Sequence, residues 1–275
     1  MHYYLIDIQY LGFRYHGWLK QPGVKTVALM IEKTLLYVLG TDNFKIMGCS
    51  RTDSKVSSNH YIFELFFHKE VEDDFLGVFN QNLPGDIRAL KIEEVDKKFS
   101  IINTPKTKEY LYLFSYGEKA HPFSAPLMYV YNGDLDIELM KEGAQLFQGE
   151  HNFKKYCTKP KPGTNFIRDV IKCEIIENDL YQANFFPKKS FMLKIQSKGF
   201  MRYQVRLIMG QLLSLGRREI DLSHVKNSLS PTSEDSGPLR HIAPSSGLIL
   251  NRIEVDTISH LKNDSMLKPP CKRIK

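Results

Sequence analysis

Two stretches of this chain, residues 2–95 and 110–255, carry the same order of hydrophobic patterns, and that repetition limits what it can fold into. In the first, residues 2–10 mix Tyr, Leu and Ile at strand density, and Gly12, Gly17 and Pro22-Gly23 punctuate a loop. Thr26 then stands where a helix N-cap belongs. Val27, Met30, Ile31, Thr34, Leu35 and Val38 follow at helical spacing, with Gly40 placed to close the helix. Strands are predicted near 44–49 and 60–67, a helix over 72–80 ended by Leu83-Pro84-Gly85-Asp86, and a strand near 87–95. The second stretch repeats this order with longer loops. It reads as a strand over 110–116, a helix over 136–147, strands over 168–176 and 190–197, an apolar helix around 205–212 ended by Gly216, and a last strand over 248–255. Two split βαβ units in series predict an α+β fold of duplicated ferredoxin-like design.

The polar, basic run Asn103-Thr104-Pro105-Lys106-Thr107-Lys108 reads as the boundary between the halves, and residues 228–238 as an exposed loop. The expected division is therefore 1–105, 106–256 and a basic tail at 257–275. At 42% hydrophobic and 25% charged residues, 275 residues suffice for a substantial core. The net charge of +7 favours a polyanionic partner, because each Lys or Arg set on a phosphate releases condensed counterions. Part of it is local, since residues 262–275 hold five cations against one acid.

Cys49, Cys157, Cys173 and Cys271 stand far apart, with no metal-ligand spacing, so neither a disulfide framework nor a metal site is expected. No Gly-rich phosphate fingerprint occurs, and no nucleotide cofactor is expected. With no leader-like N-terminus and no apolar run long enough to span a bilayer, no membrane is implied, and a cytoplasmic, reduced setting is expected.

Three segments can carry chemistry. Residues 46–59 set Asp53 between Arg51 and a run of small hydroxyl residues. A carboxylate there can act as nucleophile or base, and an arginine beside it can hold a phosphate or fill a gap in a base stack; equally, Asp53 can cap a turn. On Lys108-Glu109-Tyr110-Leu111-Tyr112, Tyr110 can stack on a nucleobase or act as a weak acid or base, or be one of two half-buried strand aromatics. In Lys198 to Arg206, Arg202 and Arg206 lie four apart at the start of an apolar helix. They either meet an anion or reach water along their apolar stems.

Six blocks together resemble one known family. They are Tyr10 to Trp18, Gly48 to Asp53, Asn82 to Ile87, Lys108 to Tyr112, Phe200 to Arg206 and Ala243 to Leu248. In that order they look like the characteristic blocks of the TruA-type tRNA pseudouridine synthases, and the resemblance spans residues 3–255. It implies the pseudouridine synthase fold, in which two α/β halves share a central, mostly antiparallel sheet with helices packed on it. It implies RNA in a basic cleft, a homodimer with one tRNA across both subunits, and no metal, nucleotide or redox cofactor. The implied reaction isomerises uridine to pseudouridine in the anticodon stem-loop, within tRNA positions 38–40.

On that resemblance Asp53 matches the catalytic aspartate, Arg206 pairs with it and keeps it ionised, and Tyr110 lies against the uracil and assists proton removal from C5. Arg51 resembles the residue that fills the vacated stack, with Lys55, Lys108, Arg168 and Arg202 as further RNA-binding cations. Departures from the family pattern are Ser50 before Arg51, Lys55 at a second glycine position, and Leu11 in place of a common Asp. Losing glycines is expected to limit positive φ and close approach to RNA, while Lys55 is expected to meet a phosphate. A noncatalytic RNA-binding paralogue is the alternative. A cofactor-dependent RNA methyltransferase would need a site that the sequence does not display.

Overall fold

The computed structural model describes residues 1–230 and 238–255. The basic tail at 257–275 and most of the expected 228–238 loop lie outside the described residues. Strands β1 (His2–Tyr10), β2 (Phe44–Gly48), β3 (Ser57–Phe67) and β4 (Ile87–Glu94) alternate with helices α1 (Val27–Leu39) and α2 (Phe75–Asn82). There follow β5 (Lys106–Gly117), β6 (Tyr129–Asn132), α3 (Ile137–Gln145), β7 (Gly149–Asn152), β8 (Ile167–Glu177), β9 (Phe191–Ser197), α4 (Gln204–Gly216), α5 (Leu222–Ser228) and β10 (Leu248–Val255). All ten strands join one sheet in the order β4-β1-β3-β10-β5-β9-β8-β7, with β2 added beside β3 and β6 beside β5. The expected α+β class and mostly antiparallel central sheet are present; among the described residues only the β10–β3 and β5–β6 pairs are parallel. Within each half the spatial order of the four principal strands is the same: β4-β1-β3-β2 and β10-β5-β9-β8.

The halves meet where β10 reaches both neighbours. Its Ile249 and Leu250 register with Ser57 and Ser58 at the start of β3, while residues 248–255 pair antiparallel with β5. Further along β3, the edge that β10 leaves is taken by β2, which pairs with residues 63–67. The β2–β3 connection, residues 49–56, therefore lies at the junction of the halves. It is the segment that holds Asp53.

Local chemistry explains the main helices. The Leu29 N–H donates to Thr26 Oγ1 at 3.3 Å, capping α1, and Gly40 ends it at φ 65°. Ile31 and Leu35 are fully buried in a core that also takes in Ile6 and Ile8 of β1 and Phe63 and Leu65 of β3. The same core continues under α3 and α4, taking in Met140 and Leu212 together with Tyr112, Phe114 and Ile195. Strand β5 alternates inside it: Tyr110, Tyr112 and Phe114 face the helices, whereas Leu111 and Leu113 join Met128, Met192 and Ile249 in a smaller core behind the sheet. A central strand covered on both faces is apolar on both, and Tyr110 through Phe114 are all buried.

Several expectations are corrected. The basic run at 103–108 is only partly loop, because Lys106 to Lys108 are already in β5, paired with β10. Helix α4 does end at Gly216, and the left-handed residue that follows is Arg218 at φ 58°. Gly216 is needed for packing: a Cβ there would stand 2.5 Å from Met140 Sδ of α3. Strands β6 and β7 and helix α5 were not foreseen.

Candidate active site

The Asp53 loop is backed by the segment that leaves β1. Hydroxyls of Tyr10 and Thr52 are hydrogen-bonded at 3.0 Å, the Trp18 N–H donates to the Thr52 carbonyl at 3.4 Å, and the Lys55 N–H donates to the Tyr15 carbonyl at 2.9 Å. The Gly12 N–H donates to Ser57 Oγ at 2.9 Å, and a Cβ on Gly12 would fall 1.9 Å from the Val56 carbonyl oxygen. The Val56 N–H returns to the Asp53 carbonyl at 3.2 Å, closing a tight turn at the carboxylate. The Tyr10 to Trp18 block thus works as a splint for residues 52–57.

Lys55 completes that turn in the left-handed region, at φ 67°. The loss of glycine, expected to limit positive φ, does not prevent it here: the turn demands that conformation and a lysine adopts it, with a strain on the order of 1 kcal/mol. Its ammonium sits 5.5 Å from the Phe13 ring centroid. Arg51 is exposed and makes no hydrogen bond or ion pair among the described residues.

Across the junction, Arg206 NH1 donates to Asp53 Oδ2 at 3.2 Å, joining residues 153 apart in sequence. A second donor, Nε, binds the Ala243 carbonyl at 2.8 Å. The guanidinium stands 5.1 Å from the Tyr203 ring centroid, and that of Arg202 is equally distant from the same ring. Tyr203 is the N-cap of α4 at φ 63°, so Arg202 precedes the helix. The two arginines therefore converge on one aromatic ring through a left-handed turn, and not through a shared helix face as their spacing suggested. The helix start is also tied by Gln204 Oε1, which accepts from the Met201 N–H at 2.8 Å.

Burial raises the Asp53 carboxyl above the ordinary carboxylate range, while Arg206 chiefly, and Arg202 in part, pull it back. The net direction is upward, with Arg206 the largest influence favouring the ionised form. Tyr110 is 7% exposed and meets Phe200 edge-on at 5.3 Å between ring centroids. Burial drives its hydroxyl well above the usual phenol range, with Cys49 and Asp53 acting in the same direction and Ser50 against. The Cys49 thiol is itself pushed up to about 11 by burial, which leaves it protonated and inert.

The remaining expected cations divide. Arg168, in β8, donates through NH1 to the Ile167 carbonyl at 2.6 Å, and both it and Arg202 lie near the Cys157 thiol. Lys108 turns its ammonium inward, onto Ser50 Oγ at 2.9 Å. Asp53, Arg206, Tyr110 and Arg202 are thus brought together, Arg168 flanks Arg202, and Arg51 and Lys55 lie on the exposed rim. Sequence reasoning missed Tyr203, the Ala243 carbonyl and the Ser50–Lys108 bond. All of these residues lie inside recognisable blocks, and nothing in those blocks gives the contacts. Among the described residues no group of three or more His, Cys, Asp or Glu side chains is arranged to hold a metal ion, and no helix is long and apolar enough to cross a membrane.

A sequence model of the family described as tRNA pseudouridine synthase matches residues 144–256. The chain is 29% identical over 256 residues to tRNA pseudouridine synthase A 2 of Bacillus cereus, covering 92% of this chain and 100% of that protein. It is 29% identical over 262 residues to tRNA pseudouridine synthase A of Dictyoglomus thermophilum, covering 90% and 98%. Against tRNA pseudouridine synthase A of Clostridium acetobutylicum the identity is 28% over 249 residues, covering 90% and 97%.

Proposed function

We propose that this member of the TruA-type tRNA pseudouridine synthases isomerises uridine in the anticodon stem-loop, within positions 38–40, with Asp53 as its catalytic carboxylate. The observation that carries the reading is the Asp53–Arg206 pair at 3.2 Å, set beside a buried tyrosine at the junction of two half-sheets. A carboxylate that is partly desolvated yet held by one cation is an oriented, reactive anion, and binding alone has no need of it. It either attacks C1′ of the ribose or stabilises a glycal-like intermediate; both routes break the N1–C1′ bond and re-form the link through C5.

A uridine in a stem has to be flipped out to reach Asp53. Tyr110, with Phe200 against its edge, supplies a flat floor for the uracil, and Arg51 takes the vacated stack position. The described residues of the segments 1–105 and 106–256 form the two walls of the cleft. Lys55, Arg168 and Arg202 meet phosphates on its rim. They are continued by residues 154–168, which carry Lys154, Lys155, Lys159, Lys161 and Arg168 and no acid. This basic strap is joined to the active-site turn by the Thr158 N–H, which donates to the Arg202 carbonyl at 3.4 Å. A homodimer holding one tRNA across both subunits belongs to the same reading.

The test is release of tritium from C5-labelled uridine in tRNA, with binding measured in parallel. Asp53→Asn is expected to bind tRNA with near wild-type affinity and release no tritium. Full release by that variant overturns the role of Asp53, and none by the wild type overturns the activity.

A further inference from the structure

We propose that Tyr112 is a positioning residue for Arg206, acting through the backbone of Ala243 and Pro244. Its bearing on the reaction rests on the reading above, in which Arg206 orients Asp53. Tyr112 lies two residues beyond Tyr110 on the same face of β5 and is fully buried, registering with Leu248 of β10 and Leu193 of β9. Phe114, two residues further along that face, is buried as completely without a hydroxyl, so packing there does not require a phenol. A buried phenol needs a partner for its proton, and the Tyr112 hydroxyl donates to the Pro244 carbonyl at 2.8 Å.

That carbonyl is one peptide unit from the carbonyl that holds Arg206. Arg206 Nε donates to the Ala243 carbonyl at 2.8 Å, and the Ala243 N–H donates back to the Arg206 carbonyl at 3.0 Å. Because a guanidinium is planar, fixing Nε limits where NH1 can point, and NH1 is the donor that reaches Asp53 Oδ2 at 3.2 Å.

The Ala243–Pro244 peptide has no N–H of its own with which to be anchored, since its nitrogen belongs to proline. The proline ring locks φ, here −53°, which leaves ψ, here 141°, as the one soft rotation between the Ala243 and Pro244 carbonyls. Tying the Pro244 carbonyl to Tyr112 restrains that rotation. The flanking chain is pressed close on both sides. A Cβ on Gly210 of α4 would stand 2.0 Å from the His241 carbonyl oxygen, and one on Gly247 would stand 2.9 Å from the Tyr112 ring. Tyr112 gives its proton to the backbone, so its effect on Asp53 passes through Arg206.

The experiment is a double-mutant cycle on single-turnover C5-tritium release from pH 4 to 8, with tRNA Kd measured for each protein. Wild type, Tyr112→Phe, Arg206→Met and the double variant are compared. Tyr112→Phe keeps the ring and removes the hydrogen bond. It is expected to slow release about fivefold at neutral pH and to move the acid limb up by about half a unit, with Kd unchanged. Asp53 is faced by Arg206 of α4 and Arg202 before it, which favour its ionised form, and by Tyr110 of β5, uncharged over this range; a less well aimed Arg206 leaves burial the stronger influence. In the Arg206→Met background the same substitution is expected to change nothing further, because the residue it acts through is gone. An equal loss in both backgrounds makes Tyr112 a general contributor to stability and overturns the inference, as does an unmoved acid limb. A readout independent of turnover is the titration of 13C-labelled aspartate, with the Asp53 signal assigned by its loss in Asp53→Asn. That signal is expected to titrate at higher pH in Tyr112→Phe, and an unshifted titration also overturns the inference. Should Tyr112→Phe not fold, Pro244→Ala, which frees φ and leaves Tyr112 intact, goes through the same cycle with the same expected outcomes. Absence of release by the wild type strikes the proposed activity, and the aspartate titration then decides the inference by itself.

Discussion

Replacing Arg206 by methionine removes the counter-charge of Asp53 while keeping much of the side chain's volume. The expected loss follows from the geometry. At an N–O distance of 3.2 Å, an effective dielectric of about 20 gives an attraction on the order of 5 kcal/mol. Part of that is cancelled by the cost of desolvating both groups, whose side chains are only 15% and 28% exposed. A net value of about 2 kcal/mol is in the range of hydrogen bonds to charged groups. If it acts on the reactive ionised form, the rate near neutral pH falls about 30-fold. The sign on the pH axis is equally fixed: burial already raises the Asp53 carboxyl, Arg206 is the largest opposing influence, and removing it raises the acid further. The acid limb of single-turnover C5-tritium release, followed from pH 4 to 8, therefore moves to higher pH in Arg206→Met. Arg206→Lys recovers part of the shift and not all, because one ammonium cannot reproduce the separate bonds to Asp53 and to the Ala243 carbonyl. An acid limb that stays in place with a rate near wild type refutes the electrostatic account of the pair.

Lys55→Gly relieves the left-handed strain at φ 67°, and a thermal melt is expected to rise by about 2 °C after the entropy of the added glycine is allowed for. The same variant is expected to bind tRNA more weakly, with the slope of log affinity on log salt reduced by about one; an unchanged slope denies Lys55 a phosphate contact. Glu64 is 1% exposed, accepts from the Ile101 N–H through Oε2 at 3.0 Å and leaves Oε1 without a partner, and burial raises its carboxyl. An acid raised by folding contributes stability below its unfolded value that is lost as pH climbs through the folded one. Glu64→Gln is therefore expected to gain about 1 kcal/mol over wild type at pH 7 and nothing at pH 4, read by urea unfolding at both pH values. Gly12→Ala drives a Cβ into the Val56 carbonyl, and is expected to cost about 1–3 kcal/mol of stability and at least about tenfold in tritium release, since the displaced atoms belong to the Asp53 turn.

The elements that sequence periodicity located are those long enough to display a period. Helix α1, with its Thr26 cap and Val27-Ile31-Leu35 stripe, and strand β5, with aromatic and aliphatic residues in alternation, state their faces in the residues themselves. Strands β6 and β7 have four residues each, and β7, Gly-Glu-His-Asn, is polar; both exist because neighbouring strands offer them an edge. Helix α5 has seven residues and only Val225 and Ser228 buried, too few to mark a stripe.

The candidate site divides along the same line. The sequence by itself set the duplicated order of elements, the acid at 53 in a short turn, the tyrosine on a strand and the arginines near a helix start, because these are properties of neighbouring residues. Only the tertiary structure decided which of them meet. Arg206 reaches Asp53 because β10 bridges β3 and β5, Arg202 and Arg206 converge because Tyr203 turns left-handed, and Lys108 faces Ser50 because β5 passes under the loop. Contacts across 58 and 153 residues depend on strand register and backbone direction. Those are settled by how the whole core packs, and no local window of sequence contains that information.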